Sequence, residues 1–339
     1  MMNTRVQPVE KLLESSWFPF SDESVIPDLW YVPRLSCPVF LFPEDSPDGK
    51  WHLFAHSWLG IQHYISESGI RWDPMGLVQV RGKYPFLFKE KGVFHIIYER
   101  HGRPIPFAER FTKRMRKNYV VGSHIEMRSS SDLTIWSEPR LLLEAKDIPA
   151  AGDYLKKPAL SHPQIVSVDG GYRMYVGASK YGKNPASTRY ICTAFSSSLG
   201  ETYTAESQLP LLEAAPNDTW RNLATGRLNI YRGTDSYVAL QNARYWDDAR
   251  KKEASAIILL SSQDGLQWQR MGEPILVPAD RGWASAHIMT CDVRYKQDEA
   301  CWYCYFSATG EKKYGFFRES IGLLIGKIPA LRKAEEMQE

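Results

Sequence analysis

The chain has 339 residues, of which 43% are hydrophobic and 24% charged, a composition typical of a folded globular protein. Its formal net charge of +3 is too balanced to indicate nucleic-acid binding by itself. No run of 18 apolar residues predicts a membrane span. We therefore expect neither a membrane nor a nucleic acid as a partner.

The N-terminal segment carries Glu10 and Glu14 and lacks the apolar core of a secretory signal, so it favours a cytoplasmic location. The segment VEKLLESS is one of two short stretches that show some helical periodicity. The residues from Trp17 to Tyr31 are rich in aromatic side chains, and we expect them to supply a strand.

An internal repeat dominates the rest of the chain. A serine stands six residues before an aromatic side chain four times, and the aromatic residues are 64, 67 and 65 residues apart. The four pairs are Ser66 with Trp72, Ser130 with Trp136, Ser197 with Tyr203, and Ser262 with Trp268. A fixed period of this length indicates a repeat architecture.

Each repeat contains four segments with the alternation and turn residues of β-strands. Four strands in about 65 residues make one propeller blade. The sequence thus predicts an all-β fold, a single five-bladed β-propeller over residues 1–339 with four-stranded antiparallel blades. The blades are predicted at roughly 35–80, 81–145, 160–212, 224–277 and 284–328. The last blade lacks one strand, which the N-terminal segment would supply to close the ring. Two stacked β-sandwiches are the alternative.

In a propeller the start of each first strand and the end of each second strand meet at one mouth of the central channel. Polar side chains occupy many of these positions, and such convergence predicts a ligand site. We expect these residues to bind the ligand: His56, Tyr84, Arg100, His162, Arg227, Asn242, Arg244 and His287. For any one of them, the alternative is a surface or capping role.

Basic residues are concentrated in the loops expected on this face. The segments HGRPIPFAERFTKRMRKNYV, KYGKNPAST and WDDARKKEA carry most of them, which favours an anionic ligand. Solvated charges without function are the alternative. The fifth repeat contains the pair Cys301 and Cys304, three residues apart in a predicted strand, and we expect buried free thiols there.

The repeats resemble the five-bladed β-propeller glycoside hydrolases of families 43, 32, 62 and 68. The resemblance rests on X-Pro first strands, tyrosine- and tryptophan-rich second strands and the serine-to-tryptophan turn, and HPQIVSVDGGYRMYVGAS is a good local match. It implies three acids at the channel mouth: an aspartate at the start of the first blade, a second aspartate at another first strand, and a glutamate as general acid.

The sequence departs from that pattern, because Cys37, Tyr84 and His162 precede proline where carboxylates are expected. Glu99 is the best remaining acid, and a neighbouring Arg100 would lower its pKa. As catalytic partners of Glu99 we predict Asp247 and Asp292. Asp248 and Glu126 are further candidates. His287 matches a channel histidine that, by the resemblance, helps to hold a central metal ion, although no cofactor is required by the sequence.

The favoured function is therefore a carbohydrate-active, glycosidase-like enzyme that binds a short saccharide, neutral or anionic, at the axial cleft. A glycan-binding propeller without catalysis and a protein-interaction scaffold are the alternatives. Fold alone does not decide among them. A scaffold would present a flat apolar patch and a blocked channel.

Overall fold

The fold is a ring of five four-stranded antiparallel sheets, as seen in a computed structural model of the chain. The structure describes residues 8–27, 34–100, 123–151, 159–180, 188–310 and 318–329. The first strands of neighbouring sheets contact one another in cyclic order around a central channel. The predicted five-bladed propeller is confirmed, and the two-sandwich alternative is wrong.

The strands follow the chain from blade to blade, with the first strand of each blade along the channel. The N-terminal strand is β1 (Ser16–Pro19). Blade one contains β2 (Ser36–Leu41), β3 (Trp51–His56), β4 (Gly60–Ser66) and β5 (Asp73–Val80). Blade two contains β6 (Gly82–Glu90), β7 (Val93–Arg100), β8 (His124–Ser130) and β9 (Arg140–Glu144). Blade three contains β10 (Leu160–Val168), β11 (Gly171–Lys180), β12 (Thr188–Ser196) and β13 (Thr204–Ala205).

Blade four contains β14 (Ala224–Arg232), β15 (Tyr237–Asp247), β16 (Lys252–Ser262) and β17 (Gln269–Leu276). Blade five contains β18 (His287–Lys296), β19 (Cys301–Thr309) and β20 (Glu319–Lys327). Short 3-10 helices lie at Val9–Glu14, Pro43–Asp45, Ala145–Asp147 and Pro149–Ala151. No helix in the described ranges is long and apolar enough to cross a membrane.

The N-terminal segment closes the ring, as the sequence predicts. Strand β1 pairs antiparallel with β20 and so becomes the outer strand of blade five. The ring of Trp17 lies over Gly326, where an added Cβ would come within 2.8 Å of it. Val9 and Leu12 of the preceding 3-10 helix are buried in the apolar cluster shared by blades four and five. Closure thus leaves β20 paired on both sides.

Apolar side chains fill the spaces between adjacent blades rather than one central core. Between blades one and two, for example, Phe54 of β3 shares a cluster with Ile96 and Tyr98 of β7. Alternation along the strands directs these residues to the sheet faces, where the neighbouring blade covers them. The channel ends of the strands are therefore free to carry polar side chains.

The repeated serines hold the turn between the third and fourth strands. The hydroxyl oxygens of Ser66, Ser130 and Ser262 each accept a hydrogen bond at 2.9 Å from the amide three residues later. In blade three the corresponding residue is Ser196, which lies opposite Tyr172 just as Ser66 lies opposite Trp51. The assignment of Ser197 to the repeat is therefore wrong by one residue, because this turn is one residue longer.

Candidate functional site

A β-bulge interrupts the first strand of every blade near the channel mouth. In four blades the bulge residue is left-handed, with φ of 55° at Cys37, 53° at Tyr84, 49° at His162 and 63° at Gly226. Non-glycine residues rarely adopt this conformation, and such strain is concentrated at functional sites. The three X-Pro positions noted in the sequence are thus equivalent, strained positions around one opening.

Aromatic rings pack tightly at this mouth. The ring centroid of Tyr84 lies 3.8 Å from that of His162 and 4.8 Å from that of His56. The backbone N–H of Tyr84 donates to Nδ1 of His56 at 3.3 Å. All three side chains are buried. The structure therefore brings together His56 of blade one, Tyr84 of blade two and His162 of blade three.

Burial keeps these groups neutral at physiological pH. It lowers the pKa of both histidines well below the usual range. The positive charge of Lys83 lowers the pKa of His56 further, and that of Arg227 lowers the pKa of His162 further. Burial, followed by the negative charge of Glu99, holds the pKa of Tyr84 well above its usual range. The mouth thus presents neutral imidazoles and a protonated phenol, which donate and accept hydrogen bonds.

Glu99 is buried at the mouth, next to Tyr84. It lies opposite Lys83, the residue before the bulge of blade two, just as His56 lies opposite Ser36 in blade one. Only 3% of its surface is exposed. Glu99 therefore holds a position equivalent to that of His56, at the end of a second strand, where the sequence predicts a site residue.

Arg100 points away from Glu99, because successive residues of a strand face opposite sides of the sheet. Its Nη1 lies 3.8 Å from Oε2 of Glu126, which also accepts a hydrogen bond from Tyr98 at 2.8 Å. The interaction of Arg100 that the structure records is thus with Glu126, on the opposite side of the sheet from Glu99.

A second buried carboxylate, Glu319, was not identified from the sequence. It begins β20 and is 1% exposed. Nε of Arg34 donates to its Oε2 at 3.0 Å, whereas its Oε1 makes no hydrogen bond in the part of the chain described. Its charge acts on both Tyr84 and Cys37. The residue begins the third strand of blade five, so attention to the starts of third strands could have found it.

Cys37 is a buried thiol rather than a thiolate. Burial raises its pKa, and the charge of Glu319 raises it further, against the opposing effect of Arg227. Its backbone N–H donates to Oγ of Ser307 at 3.3 Å, and Oγ of Ser36 lies 3.5 Å from its Sγ. A cysteine nucleophile needs a lowered pKa. These surroundings favour a small buried residue at the start of the channel.

Arg227 follows the bulge of blade four and carries a buried positive charge. It is 2% exposed, and its charge acts on Cys37, His56 and His162. Within the part of the chain that the structure describes, its nitrogens Nε and Nη1 have no hydrogen-bond partner. The guanidinium therefore belongs to the same group of side chains as the mouth histidines.

Three further predicted site residues lie along the seam between blades four and five. Nδ2 of Asn242 donates to the carbonyl oxygen of Ile288 at 2.6 Å, and Nη1 of Arg244 pairs with Oε1 of Glu253 at 2.6 Å. Burial lowers the pKa of His287 to about 4, and the charges of Arg244 and then Lys252 add to the effect. Two cationic neighbours disfavour a metal ion at His287. Among the described residues, no group of three His, Cys, Asp or Glu side chains could hold one.

The two predicted aspartates lie elsewhere. Oδ2 of Asp292 accepts the backbone N–H of Phe40 at 3.1 Å and lies 3.3 Å from Nε of Arg294. Phe40 is three residues beyond Cys37, so this carboxylate lies about 10 Å farther along the channel wall. Asp247 ends β15 and pairs with Arg250, at 3.7 Å, in the outer hairpin. The charges of Glu99 and Glu319 thus both raise the pKa of Tyr84, whereas the two aspartates lie in separate networks.

Most of the predicted basic loops lie outside the described residues. This applies to the cations at 103–117 and to Lys183, whose loops fall at 101–122 and 181–187. In the described hairpin of blade four, Arg250 pairs with Asp280 at 2.8 Å, and Lys251 lies 3.7 Å from Asp248. These two cations are balanced by neighbouring carboxylates, so they add little to the attraction of an anion.

Comparison with known proteins supports the architecture. No protein-family model matches the chain, and no curated protein matches it. Solved structures do match. One described as a glycoside hydrolase has a TM-score of 0.62 at 15% identity, covering 94% of this chain and 92% of its own. A family 117 glycoside hydrolase of Zobellia galactanivorans has a TM-score of 0.59 at 10% identity, covering 93% and 91%.

A thermostable family 43 glycoside hydrolase has a TM-score of 0.54 at 13% identity, covering 85% of this chain and 88% of its own. At such identities a structural likeness speaks for the fold and not for the reaction. The chain has the five-bladed propeller fold of these glycoside hydrolases, as its repeats predict.

Proposed function

We propose that the protein is a glycosidase-like enzyme that cleaves a short saccharide bound at the channel mouth. The observation that carries the proposal is a pair of buried carboxylates, Glu99 and Glu319, whose charges both act on the phenol of Tyr84. Glycoside hydrolysis ordinarily uses two carboxyl groups in different environments. The likeness of the fold to glycoside hydrolases supports the same reading.

The surroundings of the two carboxyl groups suggest different roles. Arg34 balances the charge of Glu319 and leaves Oε1 without a hydrogen bond, which suits a carboxylate that activates water or attacks the anomeric carbon. Glu99 then acts as the acid. The bond from the anomeric carbon to the glycosidic oxygen breaks, and that oxygen takes the proton of Glu99. When Glu319 acts as the base, water supplies the new hydroxyl of the anomeric carbon and its proton goes to Glu319. When Glu319 attacks, the ester bond between Glu319 and the anomeric carbon is then cleaved by water, whose proton returns to Glu99. The anomeric configuration of the first product distinguishes these two roles of Glu319.

The neutral groups at the mouth suit the recognition of sugar hydroxyls. Tyr84 keeps its proton, neutral His162 carries one donor and one acceptor, and His56, whose Nδ1 accepts the backbone N–H of Tyr84, keeps its Nε2–H as a donor. Such side chains hydrogen-bond a polyol without adding charge, while the rings supply apolar faces. We therefore assign these three residues to positioning of the saccharide next to the carboxyl groups.

The test is hydrolysis of a panel of aryl glycosides and oligosaccharides by the wild type, Glu99→Gln and Glu319→Gln. We expect each variant to lose at least about 100-fold in kcat, the usual contribution of a positioned acid or base. Glu206→Gln is the matched control, because Glu206 pairs with Arg173 at 2.8 Å in blade three, away from the mouth. Retained activity in Glu99→Gln or Glu319→Gln, with a folded protein, would remove that residue from the mechanism.

The second candidate is a glycan-binding propeller without catalysis. Cys37, Tyr84 and His162 favour it, because they occupy first-strand positions at which the resemblance implies carboxylates. If this candidate is right, added saccharides should raise the melting temperature of the wild type and of both glutamine variants equally, and no product should form. Product formation that depends on Glu99 would exclude it.

A further inference from the structure

Arg227 is a buried cation, and its guanidinium forms no ion pair with a carboxylate among the residues that the structure describes. Two of its nitrogens, Nε and Nη1, make no hydrogen bond to any residue in the described ranges, and the residue is 2% exposed. Other arginines at this end of the propeller are paired: Arg34 with Glu319 at 3.0 Å, and Arg244 with Glu253 at 2.6 Å. A buried, unpaired charge is strongly unfavourable unless something else compensates it.

The neighbours of Arg227 do not supply that compensation. Its charge acts on Cys37 of blade one and on His162 of blade three, so Arg227 of blade four lies near residues of both blades. Burial keeps the Cys37 thiol protonated, since its pKa is raised, and keeps both mouth histidines neutral, since their pKa is lowered. This thiol and these imidazoles are therefore polar but uncharged, and Glu319, the carboxylate that also acts on Cys37, pairs with Arg34 at 3.0 Å.

We propose that Arg227 binds an anionic group of the saccharide, a carboxylate or a sulfate ester, so that the substrate class is an acidic saccharide. The inference rests on the proposed function, since it assigns the ligand of the same mouth. Guanidinium groups pair strongly with carboxylate and sulfate oxygens, because their N–H donors match the spacing of those oxygens. An acidic sugar would complete the hydrogen bonds of Nε and Nη1.

The position of Arg227 also separates the acidic group from the reacting bond. Glu319 pairs with Arg34 on the side of blade five, and Glu99 lies in blade two. An anion next to either glutamate would be repelled, whereas one next to Arg227 would be attracted. The acidic substituent is therefore held next to Arg227, with the glycosidic bond directed toward the two carboxyl groups.

The experiment measures binding by calorimetry and thermal shift with matched sugar pairs. Disaccharides of glucuronate and galacturonate are each compared with their methyl esters, and sulfated lactose is compared with lactose. Inorganic sulfate serves as the anion without an attached sugar. The proteins are the wild type, Arg227→Gln, Arg227→Lys and Arg173→Gln. Arg173 is the matched control for loss of one positive charge, because it pairs with Glu206 in blade three.

We expect an acidic sugar to bind the wild type and Arg173→Gln about 10- to 100-fold more tightly than its neutral partner. Arg227→Gln should lose that difference, and Arg227→Lys should keep part of it. Whether the uronates or the sulfated sugar carry the effect identifies the anionic group. Without ligand, Arg227→Gln should melt no lower than the wild type, because an uncompensated charge has been removed.

Equal binding of acidic and neutral sugars would overturn this inference and leave the proposed function intact. A clear fall in the melting temperature of ligand-free Arg227→Gln would also overturn it, since Arg227 would then have a structural role. If no sugar binds but inorganic sulfate stabilises the wild type and not Arg227→Gln, the anion site stands and the proposed function fails.

Discussion

Single buried histidines link the stability of this protein to pH. Burial lowers the pKa of His63 from its usual 6.5 to about 3, and the charge of His52 adds to the effect. Nε2 of His63 lies 2.8 Å from Nδ1 of His52, and its ring stacks on Phe54 at 4.3 Å. The folded protein therefore keeps His63 neutral at pH values at which the unfolded chain protonates it.

This difference fixes the direction of the pH effect. Because the folded pKa is the lower one, the unfolded state binds more protons between pH 6.5 and 3, and stability falls as the pH falls through that range. Between pH 7 and 5, the free energy of unfolding of His63→Gln should fall by about 2 kcal/mol less than that of the wild type. Urea denaturation at the two pH values measures this. Ile96→Val, a buried apolar change, should lower stability without changing the pH slope. Equal slopes in all three proteins would contradict the assignment.

The left-handed bulge is the structural element that builds the mouth. It turns one residue of the first strands of blades one to four out of the regular pleat, so that side chains from several blades can meet. In blade four the bulge residue is Gly226, with φ of 63°, and an added Cβ would overlap the backbone carbonyl of Asn242. Glycine is therefore required there for space as well as for conformation.

Gly226→Ala should consequently be far more destabilising than the same substitution at another left-handed glycine. Gly272 has φ of 59° in β17, and a Cβ there would meet nothing within 4 Å. We expect Gly272→Ala to cost about 1–2 kcal/mol, the conformational penalty alone. Gly226→Ala should cost more, because Asn242 holds Ile288 of blade five at 2.6 Å and cannot shift freely. Chemical denaturation of both variants measures the difference, and equal costs would show that the bulge tolerates a side chain.

The bulges also show how much of the candidate site the sequence predicts. The X-Pro pairs locate Cys37, Tyr84 and His162 at the mouth, since strand starts follow from the repeat alone. Side-chain partners between blades do not follow from it, because they depend on bulge geometry. Asp292 does lie on a first strand, but its carboxylate accepts the backbone N–H of Phe40 and pairs with Arg294. Glu319 was missed because its role depends on Arg34, which precedes it by 285 residues.

At the scale of the whole molecule, the ring depends on contacts between the two ends of the described chain. The order of the fifth sheet is β1-β20-β19-β18, so its outer strand comes from the N-terminal side and the other three from the C-terminal side. Ile26 also forms an antiparallel bridge with Ile321. All five blades contribute residues to the channel mouth, Glu319 being the one from blade five, so its shape requires all five sheets to stay in the ring. Loss of closure should therefore affect the site as well as the fold.

Deletion of residues 1–20 tests this dependence. It removes β1 and the buried Val9 and Leu12, and it leaves β20 as an open edge. We expect a lower melting temperature and self-association through that edge, measured by thermal denaturation and size-exclusion chromatography with light scattering. A synthetic peptide of residues 8–24 should bind the truncated protein by strand addition and restore part of the lost stability. Phe18→Ala is the control, because that side chain is 50% exposed in the same strand and should matter little. A truncated protein that melts and elutes like the wild type would mean that the four remaining blades and an open fifth sheet hold the ring without β1.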